Sequence, residues 1–241
     1  MNPPRIGCVP YLNARPLVHG IEGVEYLPPA ALSEAFRRGC YDAALIPVFE
    51  ALRLEQPRLV DGCSISCRGP VLSVVVAHER PLASIRQIAC DPDSRSSNAL
   101  AAVLLDQLAP AASLVEGPAE ARIVIGDPAL QLRLERPDLY FTDLGEAWFR
   151  VTGLPFVFAA WCLAPGAHSG LAGQLRAAVD RGIAAIPDIA SHCPQPDRAM
   201  VYLSEHIHYG LGSEEKAGMA EFARRAASCG LIDQSAPWVW V

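Results

Sequence analysis

Two polar segments that follow apolar runs carry side chains suited to an anionic ligand. The first is Tyr11-Leu12-Asn13-Ala14-Arg15-Pro16. Asn13 offers both a hydrogen-bond donor and an acceptor, and the guanidinium of Arg15 matches the geometry of a carboxylate. The open alternative is an ordinary strand-to-helix turn in which Asn13 caps the helix.

The second segment, ahead of a strongly helical stretch, is Asp91-Pro92-Asp93-Ser94-Arg95-Ser96-Ser97-Asn98. Hydroxyl groups and the free N–H groups of a helix N-terminus together attract carboxylates and phosphates. The polar residues Ser94 to Ser97 exceed what one helix cap needs, so we favour anion binding. Simple capping of the helix is the alternative.

Ser73 is the one hydroxyl inside the apolar run VLSVVVA at positions 71–77. Its side chain either faces a ligand or bonds to a neighbouring carbonyl. The run has no G-x-S-x-G motif, which argues against a hydrolase nucleophile. Gly126 and Asp127 end another apolar run, where a turn and a helix cap are the simpler interpretation and ligand contact is the alternative.

Short apolar runs alternate with longer amphipathic stretches, which is typical of strands connected by crossover helices. The pattern predicts strands at 5–10, 42–46, 71–77, 88–91, 123–125 and 156–163. It predicts helices at 32–38, 96–108, 129–134, 171–185, 197–207 and 213–229. The expected fold class is therefore α/β.

Two long apolar runs, 71–78 and 156–163, bracket the middle set of strands and helices. They predict a chain that leaves one lobe, builds a second and returns. We expect lobe one to span 1–78 plus about 165–241 and lobe two to span about 79–164. The ligand would lie in the cleft between them, where strand ends and helix starts meet.

Composition excludes several classes of function. The chain has 241 residues, a formal net charge of -6 and no long basic run, which argues against nucleic-acid binding. Its longest apolar stretch, 154–162, is about half of the roughly 20 residues that a membrane span needs. The start shows no secretion signal, so we expect a cytoplasmic protein without membrane partners.

Metal and disulfide chemistry are not expected. The eight cysteines include no C-x-x-C pair, and most lie beside small or apolar residues. His206 and His208 would point about 200° apart on a helix, so they could not share a metal ion. We therefore predict reduced thiols and no metal site.

Six segments together resemble the chorismate dehydratases of the futalosine route to menaquinone. They are RIGCVPYLNARPL, GCYDAALIPVFEAL, GPVLSVVVAHERPL, DSRSSNALAAVLL, VIGDPAL and DLGEAWFRVTGLPFVFAAW. The resemblance extends from about Arg5 to Phe222, and the last segment is the longest and most specific of the six.

The resemblance implies a two-lobed fold similar to type II periplasmic-binding-protein folds, used by an enzyme inside the cell. The implied reaction is a carbon–oxygen lyase step that removes the C4 hydroxyl and the C3 hydrogen of chorismate. Its products are 3-[(1-carboxyvinyl)oxy]benzoate and water. Because the new ring is aromatic, the step needs no cofactor, only a held geometry and help for the departing hydroxide.

The resemblance also implies roles for particular residues. Asn13 and Ser73 match family residues expected to be catalytic. The segment Ser94-Arg95-Ser96-Ser97 matches an S-R-T-S segment of the family, with serine in place of threonine, and is expected to bind substrate. Tyr11, Gly126 and Asp127 are expected to contact the substrate as well.

Two further points follow from the same match. Arg15 departs from the family's usual apolar residue, so whether it faces ligand or solvent is open. No obvious strong base lies in the expected cleft. We therefore hypothesise that the enolpyruvyl carboxylate of the substrate takes the C3 proton, with Asn13 and Ser73 orienting it.

Three other functions remain as alternatives. A non-catalytic solute-binding protein would need an export signal. The synthase of 1,4-dihydroxy-6-naphthoate shares the two-lobe plan, but the DLGEAW and GLPFVFAAW segments resemble the dehydratase instead. The effector domain of a regulator would need a helix-turn-helix ahead of residue 5 and a less acidic chain.

Overall fold

The computed structural model describes residues 3–233 and 238–241. The strands are β1 (Ile6–Cys8), β2 (Val24–Tyr26), β3 (Ala43–Pro47), β4 (Arg58–Cys67), β5 (Val74–His78), β6 (Gln87–Ala89), β7 (Ser113–Val115), β8 (Ala121–Ile125), β9 (Tyr140–Asp143), β10 (Phe156–Leu163) and β11 (Val239–Trp240). The α-helices are α1 (Pro29–Arg37), α2 (Val48–Leu52), α3 (Arg95–Leu108), α4 (Gly126–Glu135), α5 (Leu144–Thr152), α6 (Leu171–Ala184), α7 (Ile186–Ser191), α8 (Pro196–Val201) and α9 (Ser213–Ser228).

Three shorter helical segments complete the description. A 3₁₀ segment, Leu12–Val18, follows β1, and a short one, Leu82–Ser84, follows β5. A π-helical segment, Tyr202–His206, continues directly from α8. The pattern 197–207 predicts one helix, whereas the structure divides that stretch into two helix types.

The strands form two mixed sheets. The first sheet has the order β11-β4-β10-β3-β1-β2, and the second has the order β7-β6-β8-β5-β9. In the first, β1 pairs in parallel with β2 and β3, and β10 runs antiparallel between β3 and β4. In the second, β5 runs antiparallel between β8 and β9. Strands and helices alternate along most of the chain, so the predicted α/β class is confirmed.

The predicted lobe boundaries place two strands in the wrong sheet. The range 1–78 puts β5 in the first lobe, but Val76 of β5 pairs with Ile123 of the second sheet. The range 79–164 puts β10 in the second lobe, but its Ala160 pairs with Ile46 of the first sheet. Counted by sheet, the chain crosses at 68–73 and returns at 144–155. Apolar runs do not reveal their pairing partners, which explains the error.

β5 is shorter than the run 71–77 predicts, because it begins only at Val74. Residues 71–73 form a turn instead of a strand. β4 was not predicted, since Asp61, Gly62 and two serines interrupt its apolar pattern. By contrast, β10 has the bounds that its uninterrupted run predicts.

A buried aromatic cluster joins α5, which lies within the return crossing, to β10 and α9. The ring of Phe222 on α9 lies 5.0 Å from that of Phe156 on β10 and 6.1 Å from that of Trp148 on α5. The Trp148 indole donates a hydrogen bond to the Pro155 carbonyl at 3.1 Å. Edge-to-face aromatic packing of this kind adds about 1 kcal/mol per pair beyond area burial, so α5 is firmly anchored.

Within the described ranges, no helix is long and apolar enough to cross a membrane.

Candidate functional site

Asn13 lies in the 3₁₀ segment that follows β1 at the carboxyl end of the first sheet. Its side chain is buried, and Oδ1 has no hydrogen-bond partner among the residues that the structure describes. A buried acceptor of this kind is uncommon, because desolvation without a partner costs about 1–3 kcal/mol. Asn13 therefore holds a buried acceptor that no described protein group satisfies.

Ser73 lies in the first crossing, directly before β5, and is fully buried. Its N–H donates to the Val71 carbonyl at 2.8 Å across Leu72, whose φ is +64°. A bond from residue i+2 to residue i with a positive φ between them defines a γ-turn, which is rare and strained. The turn, and not a strand, sets the direction of the Ser73 side chain.

Tyr202 brings these two residues together from the C-terminal part of the chain. Its hydroxyl donates a hydrogen bond to Ser73 Oγ at 2.8 Å. Burial raises the pKa of Tyr202, while the adjacent Ser73 and Asn13 side chains partly oppose that shift. The phenol therefore stays protonated and remains a donor at neutral pH.

The sequence did not single out Tyr202, because it resembles any buried aromatic residue of an amphipathic helix. Its one distinguishing feature is that it begins the π-helical segment. Such segments occur frequently at functional sites, but only coordinates reveal them.

Ser94, Ser96 and Ser97 are all buried at the start of α3. Ser94 caps the helix, since its Oγ accepts from Ser97 N at 3.3 Å and donates to Ser97 Oγ at 2.8 Å. Ser96 Oγ accepts from Phe49 N at 2.9 Å and so ties α3 to α2. These hydroxyls make the capping contacts of the alternative interpretation, and their binding to substrate stays a prediction.

Arg95 points away from these serines towards carboxylates. Its guanidinium lies 3.0 Å from Glu34 and 3.4 Å from Glu50. Glu50 is almost fully buried and is also paired with Arg37 and Arg53. A buried carboxylate needs such partners, so the structure gives Arg95 an ion-pairing role where the sequence predicted substrate contact.

Tyr11 follows β1 of the first sheet and lies against Gly126, which, like Asp127, follows β8 of the second sheet. The N–H of Leu12 donates to Asp127 Oδ1 at 2.9 Å, which joins the 3₁₀ segment to α4. Gly126 has φ +63°, and a Cβ there would lie 2.5 Å from Tyr11 Cδ1. Burial and the carboxylates of Asp91, Asp93 and Asp127 raise the pKa of Tyr11 to about 12, so its hydroxyl is a stable donor.

A cavity of about 620 Å³ opens beside this group. Tyr202 and Leu72, which contact or adjoin Ser73, line it together with Arg15 and Asp127. Leu12, Leu130 and Leu134 supply apolar walls. The volume lies in the range of small-molecule sites, and the mixture of leucines with arginine suits an anion that has an apolar ring.

Arg15 therefore faces the cavity, where its Nη1 lies 3.9 Å from Cys193 Sγ. The serines of α3 are not among the lining residues of this cavity, and neither are Asn13 and Ser73. Asn13 and Ser73 adjoin the cavity through Tyr202, which does line it. Within the described chain, no three His, Cys, Asp or Glu side chains converge as metal ligands would.

Comparisons with known proteins identify relatives over nearly the whole chain. A family model described as menaquinone biosynthesis matches residues 4–228. A chorismate dehydratase of Campylobacter jejuni is 30% identical over 230 residues, which cover 92% of this chain and 92% of that protein. A chorismate dehydratase of Thermus thermophilus is 26% identical over 257 residues, covering 92% of this chain and 95% of that protein.

Solved structures share the fold. A protein of Archaeoglobus fulgidus superposes with a TM-score of 0.73 at 16% identity, covering 95% of this chain and 98% of its own. A Candida albicans protein described as having the generic periplasmic binding protein fold superposes with a TM-score of 0.64 at 13% identity. The match covers 98% of this chain and 92% of that protein. The predicted periplasmic-binding-protein-like fold is thus confirmed. Because the family model spans most of the sequence and the Campylobacter relative is 30% identical over 92% of the chain, this chain belongs to the menaquinone biosynthesis family.

Proposed function

We propose that this chain is a chorismate dehydratase, a carbon–oxygen lyase that converts chorismate to 3-[(1-carboxyvinyl)oxy]benzoate and water. The observation that carries the proposal is the match to two chorismate dehydratases over 92% of the chain. The local geometry agrees with it, since Asn13, Ser73 and Tyr202 form a buried polar group beside a cavity of suitable size.

Ser73 and Tyr202 assist the departing hydroxyl. Because Ser73 Oγ accepts a hydrogen bond from the Tyr202 hydroxyl, the hydroxyl proton of Ser73 is free to point at the substrate. It donates to the C4 oxygen and stabilises the negative charge that grows there as the C–O bond breaks. Burial excludes water and strengthens this bond.

The C3 proton goes to the enolpyruvyl carboxylate of the substrate. In this proposal the protein carboxylates do not take the proton. Asp127 and Asp197 line the cavity, and Asp127 accepts from Leu12 N, whereas Asp143 accepts from Val71 and Leu72 N. The C–H electron pair becomes a ring double bond while the C4 hydroxyl leaves, and the released proton and hydroxide combine as water. Asn13 Oδ1 orients the substrate by accepting a hydrogen bond from its hydroxyl group.

The dianionic substrate is held by the N-terminus of α3 and by Arg15. In this proposal Ser94 to Ser97 receive one carboxylate at the helix start, aided by the helix dipole. Arg15 faces the cavity and attracts the other carboxylate. Asp127 forms part of the cavity wall, and Tyr11 packs against Gly126 next to it.

All eight cysteines, each within the described residues, are free thiols. Free thiols in this number suit a reducing compartment, so the proposal places the enzyme in the cytoplasm.

Incubation of the purified chain with chorismate tests the proposal. The reaction contains EDTA and no added cofactor, and mass spectrometry and ultraviolet absorbance follow it. The wild type is expected to remove about 18 mass units from chorismate, the mass of one water, and to give a new benzoate spectrum. Ser73→Ala is expected to form the same product at a much lower but measurable rate. Tight binding of unchanged chorismate would point to a solute-binding protein, and absence of binding would overturn the proposal.

A further inference from the structure

The turn that carries Ser73 cannot hold itself. Leu72 has φ +64°, and a leucine in this region costs about 1–3 kcal/mol relative to ordinary backbone. The single bond from Ser73 N to the Val71 carbonyl, at 2.8 Å, is too weak to offset that cost. Other residues must therefore fix the peptide groups of Leu72.

Asp143 fixes the N–H side of the turn. Its Oδ2 accepts from Leu72 N at 2.7 Å, and its Oδ1 accepts from Val71 N at 3.1 Å. The same Oδ1 caps α5 by accepting from Gly145 N at 3.0 Å and Glu146 N at 3.1 Å. One buried carboxylate thus links the outgoing crossing, 68–73, to the return crossing, 144–155.

Arg133 fixes the carbonyl side. Its Nε donates to the Leu72 carbonyl at 3.0 Å, and its Nη2 lies 3.6 Å from Asp143 Oδ2. The guanidinium also stacks 4.9 Å from the centre of the Phe141 ring. Both polar groups of Leu72 are therefore bonded to one ion pair, which we call the turn clamp (Asp143 and Arg133).

We propose that Asp143 and Arg133 are positioning residues for Ser73, holding the strained turn that places its hydroxyl against Tyr202. Without the turn clamp, Leu72 relaxes to a negative φ and Ser73 Oγ leaves the Tyr202 hydroxyl. The inference rests on the proposed function for its kinetic consequences, whereas its structural consequences stand independently.

Asp143→Asn separates the clamp from the helix cap. Asparagine keeps Oδ1 for Gly145 N and Glu146 N and is a good N-cap residue. Its amide nitrogen replaces Oδ2 and cannot accept from Leu72 N. Arg133→Gln tests the carbonyl side, and the exposed pair Arg136 and Asp138 supplies matched controls, Arg136→Gln and Asp138→Asn.

Steady-state kinetics with chorismate give the first readout. We expect Asp143→Asn to lower kcat by roughly 10- to 100-fold with KM changed less than about threefold, because the loss falls on the transition state. Arg133→Gln should lower kcat by a similar factor, and its KM should rise as well, because Arg133 also lines the cavity. In a Ser73→Ala background the same changes should lower kcat by less than about twofold, since the clamp acts through Ser73. Equal effects in both backgrounds, or an unchanged kcat, would overturn the proposal.

Crystal structures of the wild type and Asp143→Asn give a readout that needs no activity. We expect Leu72 to adopt a negative φ and the Tyr202–Ser73 hydrogen bond to break in the variant. Retention of both features would overturn the clamp. If the wild type does not convert chorismate, the proposed function fails, while the structural comparison still decides whether Asp143 holds the turn.

Discussion

The Tyr202 hydroxyl donates to Ser73 Oγ at 2.8 Å and so joins residues that lie 129 positions apart in the sequence. The bond links the π-helical segment to the start of β5, close to Asn13. It orients the serine hydroxyl, because an oxygen that accepts one proton must aim its own elsewhere. The central polar group of the site is therefore assembled from three distant parts of the chain.

Tyr202→Phe removes this hydrogen bond without changing the ring. We expect kcat for chorismate to fall roughly 10- to 100-fold and the free energy of unfolding to fall by about 1–2 kcal/mol, because Ser73 Oγ loses its donor. Tyr209→Phe is the matched control for stability, since the Tyr209 hydroxyl has no partner among the described residues. A Tyr202→Phe enzyme with wild-type kcat would contradict the role.

Asn13→Ala is expected to separate activity from stability. The side-chain oxygen has no protein partner in the described chain, so its loss should change the free energy of unfolding by less than about 1 kcal/mol. The specificity constant kcat/KM should fall by roughly 100-fold, because the substrate loses an orienting contact. Urea unfolding and steady-state assays measure the two quantities, and a fast variant would remove Asn13 from the mechanism.

Gly126→Ala tests the contact between Gly126 and Tyr11. The new Cβ would lie 2.5 Å from Tyr11 Cδ1, and φ is +63°. Gly117→Ala is the control, since its φ is +83° and nothing lies within 4 Å of the added Cβ. Backbone strain alone costs about 1 kcal/mol in both variants. Because only Gly126→Ala also meets the Tyr11 ring, we expect it to lose more stability than Gly117→Ala and to raise KM. Equal losses in the two variants would show that the Tyr11 contact is unimportant.

Arg95→Gln distinguishes ion pairing from substrate binding. Its partner Glu50 is almost fully buried, so we expect the variant to lose about 1 kcal/mol of unfolding free energy. The loss is no larger because Arg37 and Arg53 still pair with Glu50. The KM for chorismate should change less than about twofold. A tenfold rise in KM would instead support the contact that the sequence predicts.

Glu221 gives the fold a dependence on acidic pH. Hydrogen bonds from Arg224 and then Arg225 lower its pKa from 4.5 to about 2. A lowered folded-state pKa stabilises the protein above pH 4.5, and this contribution is lost as the pH falls towards 2. We expect Glu221 to contribute about 1 kcal/mol to the free energy of unfolding at neutral pH, because its carboxylate is partly solvated.

Urea unfolding of wild type and Glu221→Gln between pH 2 and 7, at roughly unit steps, measures this contribution. The two free energies should differ at neutral pH and converge at the acidic end. Glu214→Gln, an exposed carboxylate on the same helix that pairs with Arg68, is the control and should follow the wild type. A constant difference at every pH would refute the assignment to Glu221.

Local patterns predicted much of the architecture. The apolar run at 156–163 has the bounds of β10, because every residue of a strand buried on both faces is apolar. The polar start of α3 was visible because Ser94 and its neighbours are capping residues. The family resemblance, carried by the same segments, agreed with the later comparisons.

Other features could not be predicted, because they depend on which distant segments meet. β5 belongs to the second sheet because it pairs with β8 at Ile123, and β10 belongs to the first because it pairs with β3 at Ile46. An apolar run in the sequence does not indicate which strand it will pair with. The sequence does not show whether Arg95 binds a substrate or another side chain. The packing of α1 and α2 against α3 decides this, because it brings Glu34 and Glu50 to the Arg95 guanidinium.

By itself, the sequence determined the α/β class, the family and the segments that contain Asn13 and Ser73, since periodicity and motifs are local properties. The tertiary structure alone decided that Tyr202 reaches Ser73 and that Asp143 and Arg133 bond the strained Leu72. These contacts join residues 61 to 129 positions apart. The hydrogen bonds are strengthened by the low dielectric constant of the protein interior, which exists only once both sheets have packed.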